Sequence, residues 1–123
     1  MTDFDVIVVG GGPSGSMAAE AAVKGGAKTL LLEKDRDIGY PVRCGEGVGA
    51  SGLKQFIEPD PQWIAATISK VRMRSPDNTK VDFGMKDAGY ILHRRLFDYA
   101  LANRAGQAGV EIQTRAYVDG LIV

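Results

Sequence analysis

Asp5-Val6-Ile7-Val8-Val9-Gly10-Gly11-Gly12-Pro13-Ser14-Gly15 is the stretch that decides the fold. Four apolar residues run without alternation into three glycines and a proline. A short unbroken apolar run fits a strand of a parallel sheet that is covered on both faces. Pro13 suits the first turn of a helix, where its missing N–H costs nothing. The helix predicted over residues 13–24 carries Ala18, Ala19, Ala21 and Ala22, small enough for close packing on a sheet. Gly25-Gly26 ends it, and Thr29-Leu30-Leu31-Leu32 reads as the second parallel strand. Together these form a βαβ unit of about 30 residues.

Gly10, Gly12 and Gly15 match the pattern G-x-G-x-x-G. The pattern alone is weak, but here a buried strand precedes it, a helix follows it, and an acidic residue ends the next strand. Gly10 allows the tight turn, Gly12 lets backbone approach a pyrophosphate, and Gly15 lets helix and strand pack closely. Ser14 lies in the helix's first turn, where N–H groups and the positive end of the helix dipole favour phosphate. Glu33 stands 18 positions after Gly15. A carboxylate there accepts hydrogen bonds from ribose hydroxyls and repels a 2′-phosphate, which favours FAD or NAD over NADP. The plain alternative is an ordinary glycine turn beside a solvated glutamate.

The rest of the chain reads as follows. Residues 34–52 form a long irregular loop rich in glycine and charge, of the kind that usually serves function. A short helical stretch at residues 53–56 precedes Pro59 and Pro61. Residues 68–75 and 79–83 flank Ser75-Pro76-Asp77-Asn78, which supplies turn chemistry for a hairpin. An amphipathic helix over residues 94–107 carries Phe97, Ala100, Leu101 and Ala105 on one stripe. Val110-Glu111-Ile112-Gln113-Thr114 reads as a third parallel strand, and Tyr117-Val118 with Leu121-Ile122-Val123 as the start of a further one. The chain is expected to be the N-terminal part of an FAD- or NAD-binding domain with an inserted hairpin segment at about residues 54–92, the remainder of the protein lying beyond it.

Bulk properties exclude several classes. Lys plus Arg and Asp plus Glu each number 15 among 123 residues, so the basic excess of a nucleic-acid binder is missing. With 45% hydrophobic and 24% charged residues, the composition is that of a soluble globular protein. The apolar run at residues 6–9 is too short to span a bilayer, and no signal peptide is evident. Cys44 is the single cysteine, which excludes an intrachain disulfide and fits a reducing, cytoplasmic setting. No metal-ligand spacing is present. One histidine, His93, allows no Ser-His-Asp arrangement and reads as a cap or surface residue. Trp63 reads as packing in preference to ligand contact.

Ala19 and Gly26 extend the glycine motif into a pattern that resembles the FAD-binding βαβ fingerprint of glutathione-reductase-like flavoproteins. The stretch Glu33-Lys34-Asp35-Arg36-Asp37-Ile38-Gly39-Tyr40-Pro41-Val42-Arg43-Cys44-Gly45-Glu46-Gly47-Val48 resembles the geranylgeranyl reductase family. Pro59-Asp60-Pro61-Gln62-Trp63-Ile64-Ala65, Ser75-Pro76-Asp77 and the helix bearing Arg94, Phe97, Asp98 and Leu101 are similar to its archaeal lipid branch. Ser14 departs from the alanine frequent there, a change between two small residues.

The resemblance implies an α/β fold: a Rossmann-like, three-layer FAD-binding domain with a parallel sheet, and the start of an antiparallel second domain. It implies an FAD-dependent reductase that saturates isoprenoid C=C bonds of membrane lipids. Its partners would be an isoprenoid lipid and an electron donor, with peripheral membrane contact implied only by that substrate class. The cofactor residues it implies are Gly10, Gly12, Ser14, Gly15, Glu33, Arg43, Cys44, Gly45, Gly47, Arg94 and Ala116. Cys44 has three readings: backbone contact to flavin, a chemical role as the sole catalytic candidate, or packing. Gly45 and Gly47 fit a loop facing the cofactor or a plain turn. Arg43 reads equally as phosphate partner or surface charge. Arg94 opposes the helix dipole unless it answers a negative charge such as the pyrophosphate; an ion pair with Asp98 is the alternative. Ala116 follows the third strand, where such folds bring backbone near the adenine. No residue is assigned as general acid. The rival readings are a flavin monooxygenase of the aromatic hydroxylase type, which would lack the Cys44-Gly45-Glu46-Gly47 stretch, and a cofactor-binding fragment without activity.

Overall fold

The computed structural model describes residues 3–122. In chain order the elements are β1 (Val6–Val9), α1 (Pro13–Lys24), β2 (Thr29–Leu32), β3 (Gly47–Gly49), α2 (Ala50–Leu53), β4 (Ile64–Arg74), β5 (Lys80–Leu92), α3 (Arg94–Ala108) and β6 (Glu111–Gln113). They fall into two compact units, one of residues 1–43 with 94–123 and the other of residues 44–93.

The first unit holds a parallel sheet in the order β1-β2-β6. Val6 to Val9 align with Thr29 to Leu32, and Leu30, Leu31 and Leu32 with Glu111, Ile112 and Gln113. The central strand β2 is the best buried, with Leu31 at 0% exposure. Leu31 packs in one cluster with Ala19 of α1, Ala105 of α3 and Val110, and Val8, Val23, Ile38 and Ile112 border it. Ala19 and Ala105, small residues at 0% exposure, let the two helices pack closely on the sheet at Leu31. The βαβ reading holds, with α1 and β2 at the bounds read from sequence and β1 starting at Val6, one residue later than read.

Burial on both faces, which the apolar run of β1 predicts, is not what the described residues give. Val6 and Val8 are half-buried while Ile7 and Val9 are 58% and 60% exposed. The helices cover the face that carries Val8 and Leu31, and on the other face Leu30 is buried while Ile7 and Val9 stay more than half exposed. The further strand expected at Tyr117-Val118 and Leu121-Ile122 is also not formed; Val123 lies outside the described residues. Arg115 takes a positive φ of 57°, and the Ala116 N–H turns to donate to the Glu33 carbonyl at 2.9 Å. That bond draws the chain across the end of β2 instead of along a new ladder.

A buried carboxylate joins the two helices. Glu20, 5% exposed, accepts from Lys24 Nζ at 2.6 Å and from Arg104 Nε at 2.7 Å. Burial alone would raise its pKa, yet the hydrogen bonds and charges of Lys24 and Arg104 hold it below the usual carboxylate value.

The second unit is an antiparallel sheet in the order β3-β5-β4. The hairpin is longer than its alternation indicates, 11 and 13 residues, with irregular pairing between Ile64 and Ala66 and between Ile68 and Lys70. Ser75 and Asp77 organise the turn, where Asp77 Oδ1 accepts from the Thr79 N–H. The sheet also has a third strand, β3, within the stretch read as irregular loop; Val48 aligns with Tyr90. The helical stretch expected at residues 53–56 sits three residues earlier, as α2. Trp63 is 3% exposed, and its carbonyl accepts from the N–H of His93, which is itself exposed.

Candidate dinucleotide-binding site

The glycine-rich turn is built from close backbone approaches that side chains would block. Gly10 has φ of +105° and donates its N–H to the Leu32 carbonyl at 2.7 Å. A Cβ on Gly15 would stand 1.9 Å from the Gly10 carbonyl oxygen, so any side chain there forces the helix off the turn. A Cβ on Gly12 would meet nothing within 4 Å. Packing therefore demands glycine at Gly15, the left-handed backbone favours it at Gly10, where a Cβ would meet nothing within 4 Å, and open space lies beside Gly12.

Helix α1 starts at this turn with Gly12 as its N-cap, Pro13 in the first turn, no side-chain cap and no acidic residue in that turn. Ser16 closes the first helical bond onto the Gly12 carbonyl at 2.9 Å, and its buried hydroxyl donates to the Gly11 carbonyl at 3.3 Å. The N–H groups of Ser14 and Gly15 lie before any i−4 partner within the helix. They present partial positive charge of the kind that binds anions. Ser14 is exposed.

Glu33 extends from the end of β2 toward the same turn. Its Oε2 accepts from the Gly11 N–H at 2.7 Å, and its Oε1 from the Asp35 N–H at 2.9 Å. Each carboxylate oxygen carries two lone pairs, so these bonds orient the group and retain acceptor capacity for a hydroxyl. Beside it lies a cleft of about 140 Å³ lined by Val9, Gly10, Leu32, Glu33, Lys34, Ala116, Tyr117 and Val118. Gly10, Glu33 and Ala116, chosen from sequence on separate grounds, line this one cleft. Tyr117 and Val118, read as strand residues, form its wall instead. No periodicity marks wall residues, because they are selected by where the chain turns.

The remaining candidates are Arg94, Arg43, Cys44, Gly45 and Gly47. Arg94 opens α3 and makes a bidentate pair with Asp98, at 2.7 Å from Nε and 2.9 Å from Nη2. Arg43 is exposed, as are Cys44, Gly45 and Gly47. Cys44 Sγ accepts from the Glu46 N–H at 3.3 Å, and Gly47 begins β3. A larger cleft of about 460 Å³, bordered by Ile38, Tyr99, Ala102 and Ile112, contains none of the candidates.

Comparison with known proteins supplies independent findings. The family model described as FAD dependent oxidoreductase matches residues 5–118. A digeranylgeranylglycerophospholipid reductase of Methanocella arvoryzae is 48% identical over 126 residues, which cover 99% of this chain and 32% of that protein. Digeranylgeranylglycerophospholipid reductase 2 of Methanococcoides burtonii is 46% identical over 98% of this chain and 30% of its own length. Among solved structures, a geranylgeranyl bacteriochlorophyll reductase-like protein of Thermoplasma acidophilum superposes with a TM-score of 0.85 at 40% identity, covering 91% of this chain and 30% of that one. The chain thus spans about a third of the length of the relatives it matches.

Proposed function

The chain belongs to the family of FAD dependent oxidoreductases, and from that membership we propose that it forms the adenosine- and pyrophosphate-binding part of an FAD-dependent reductase acting on isoprenoid C=C bonds of a glycerophospholipid. One observation carries the cofactor half of this reading. The Glu33 carboxylate is fixed against the glycine turn at 2.7 Å and lines a cleft with Gly10 and Ala116. The substrate class rests on the names of relatives at 46–48% identity.

In this reading the N–H groups of Ser14 and Gly15 and the N-terminal dipole of α1 hold the pyrophosphate, with Gly12 leaving room for its approach. Glu33 accepts the adenosine ribose hydroxyls, and the backbone at Ala116 borders the adenine. Arg94 answers the pyrophosphate charge. For Arg43, Cys44, Gly45 and Gly47 the support is sequence resemblance alone. When bound and reduced, the flavin supplies the hydride for saturating a C=C bond. The inserted antiparallel segment of about residues 54–92 belongs, on this proposal, to a second domain. No helix of the described residues is long and apolar enough to cross a membrane.

The test is anaerobic incubation of the full-length protein, loaded with FAD and reduced by dithionite, with digeranylgeranylglycerophospholipid. Mass spectrometry is expected to find two hydrogens added per isoprenoid double bond. Unchanged lipid with a fully reduced, bound flavin contradicts the substrate assignment and leaves the cofactor assignment standing.

A further inference from the structure

Residues four apart on helix α3 read Arg95, Tyr99, Asn103 and Gln107. Each step of four advances about 6 Å along the axis, so the four side chains form one ridge. Tyr99, Asn103 and Gln107 line the cleft of about 460 Å³, together with Ile38 and Ile112. Ala102 and Gly106 are the small positions that leave it open; a Cβ on Gly106 would meet only Ile112 Cδ1, at 3.6 Å. The volume falls within the range of about 300–1,000 Å³ for small-molecule sites.

One end of the ridge is positively charged. Arg95 lies in the first turn of α3, at the positive end of its dipole. Its guanidinium stands 5.6 Å from the centroid of the Tyr40 ring, a contact that does not neutralise the charge. Arg115 follows Thr114, another cleft residue, and its N–H donates to the Asp35 carbonyl at 3.0 Å. Among the described residues neither Arg95 nor Arg115 has a carboxylate within ion-pairing distance. Asp37 is the one carboxylate among them that lines the cleft, and Arg36 holds it, from Nε at 3.0 Å and from Nη2 at 2.8 Å. That hydrogen bond first, and then the charges of Arg36, Arg95 and Arg115, keep Asp37 below the usual carboxylate range. Three arginines therefore gather at this rim around one aspartate, while Lys34 and Asp35 pair with each other at 3.7 Å.

The order cation, aromatic, amide, amide decides between the anions with an apolar part that could enter. A lipid chain would cover the Asn103 and Gln107 amides and offer them no partner, which costs free energy. A heterocycle offers the amides donors and acceptors, and gives Tyr99, 62% exposed, a face to stack on. We propose that this cleft is a second nucleotide site, separate from the FAD site. A nucleoside diphosphate lies along α3, its base at Tyr99, Asn103 and Gln107 and its phosphates at Arg36, Arg95 and Arg115. No residue of the FAD reading takes part in it.

The experiment is calorimetric titration of the FAD-loaded full-length protein with ADP, adenosine and pyrophosphate, with flavin absorbance followed on the same sample. ADP is expected to bind at one site, at least about tenfold more tightly than either half, with FAD retained. Arg95→Gln combined with Arg115→Gln is expected to weaken ADP about ten- to a hundredfold, the range for hydrogen bonds to a charge. Tyr99→Ala is expected to weaken ADP and adenosine about tenfold and to leave pyrophosphate unchanged. Gly106→Leu fills the cleft from a position open to a Cβ, and is expected to abolish ADP binding with FAD and thermal stability retained. Absence of ADP binding, or release of FAD as ADP binds, would overturn the proposal. Pyrophosphate binding as tight as that of ADP would overturn it as well, because the rim would then read charge alone. Parental ADP affinity in Gly106→Leu would do the same, since the nucleotide would lie outside this cleft.

Discussion

Glu33 Oε2 accepts a hydrogen bond from the Gly11 N–H at 2.7 Å, across 22 positions of sequence. The bond ties the end of the second strand to the turn after the first, so on the proposed reading one contact sets both the carboxylate that would read the ribose and the backbone that would cradle the phosphates. Glu33 is thus part of the support of the turn as well as the proposed ribose partner. Its carbonyl adds a third link by accepting from the Ala116 N–H at 2.9 Å, which brings the cleft's far wall into place.

Glu33→Ala should weaken FAD binding by about 1.5–3 kcal/mol, the range for hydrogen bonds to a charged group. Retention of FAD on dilution, compared between variant and parent full-length protein, measures this. Unchanged retention would mean that the carboxylate serves the turn alone.

The two glycines of the turn should separate structure from binding. Gly15→Ala drives a Cβ to 1.9 Å from the Gly10 carbonyl and is expected to lower stability by at least about 1–3 kcal/mol, the overpacking range. Gly12→Ala meets no protein atom within 4 Å and should leave the apo melting temperature unchanged while weakening FAD binding. Thermal melts with and without FAD check both. A Gly12→Ala protein that binds FAD like the parent would remove Gly12 from the site.

Glu20 gives a pH dependence whose sign is defined. Its pKa is lower in the folded protein than its ordinary value of 4.5, because Lys24 and Arg104 outweigh the effect of burial. Its contribution is present above that ordinary value and is lost as pH falls through the depressed folded value. Glu20→Gln should cost about 2 kcal/mol near neutrality and less at low pH, where the parent carboxylate is itself protonated. Urea unfolding at neutral and acid pH checks this; a penalty that stays constant or grows as pH falls would contradict the assignment.

Cys44→Ser should leave FAD bound, since a hydroxyl can accept the Glu46 N–H that the thiol sulfur accepts at 3.3 Å. Turnover is expected to change by less than about tenfold, or about 1.4 kcal/mol of barrier. Complete loss of turnover at full FAD occupancy would instead make the thiol a participant in the reaction. Flavin absorbance and lipid turnover on the same sample decide the matter.

The parts legible in sequence are those where one local rule dominates. Glycine and proline punctuate residues 10–15 and 25–26, and the apolar runs between them define β1, α1 and β2. Strand β3 was not legible, because Gly47-Val48-Gly49 has the composition of a loop. It pairs through tertiary contact, at a point where a Cβ on Gly89 would stand 2.5 Å from the Val48 carbonyl oxygen. The hairpin's length was hidden for a related reason. Val71, Met73, Val81 and Phe83 stay 43–58% exposed, so burial does not enforce a sharp alternation. Tyr117-Val118 misled in the opposite sense: the residues are strand formers, but the Ala116 bond to Glu33 diverts the chain before a ladder begins. In the site, residues carried by the glycine motif or by strand ends were readable. The ion pair of Arg94 with Asp98, one of the two readings of that arginine, was legible from their i,i+4 spacing, whereas the close approach of Gly39 to Asp98, across 59 positions, leaves no local trace.

On the proposed reading, the glycine turn, Glu33 and the Ala116 cleft recognise the adenosine and pyrophosphate of FAD. Equilibrium dialysis of the apo full-length protein against FAD and against FMN tests it most directly, because FMN carries the same ring without the adenosine half. Saturable, stoichiometric binding of FAD with FMN weaker by at least about a hundredfold is expected, the equivalent of about 2.8 kcal/mol. Equal affinity for FMN and FAD, or no binding of either, would contradict the account.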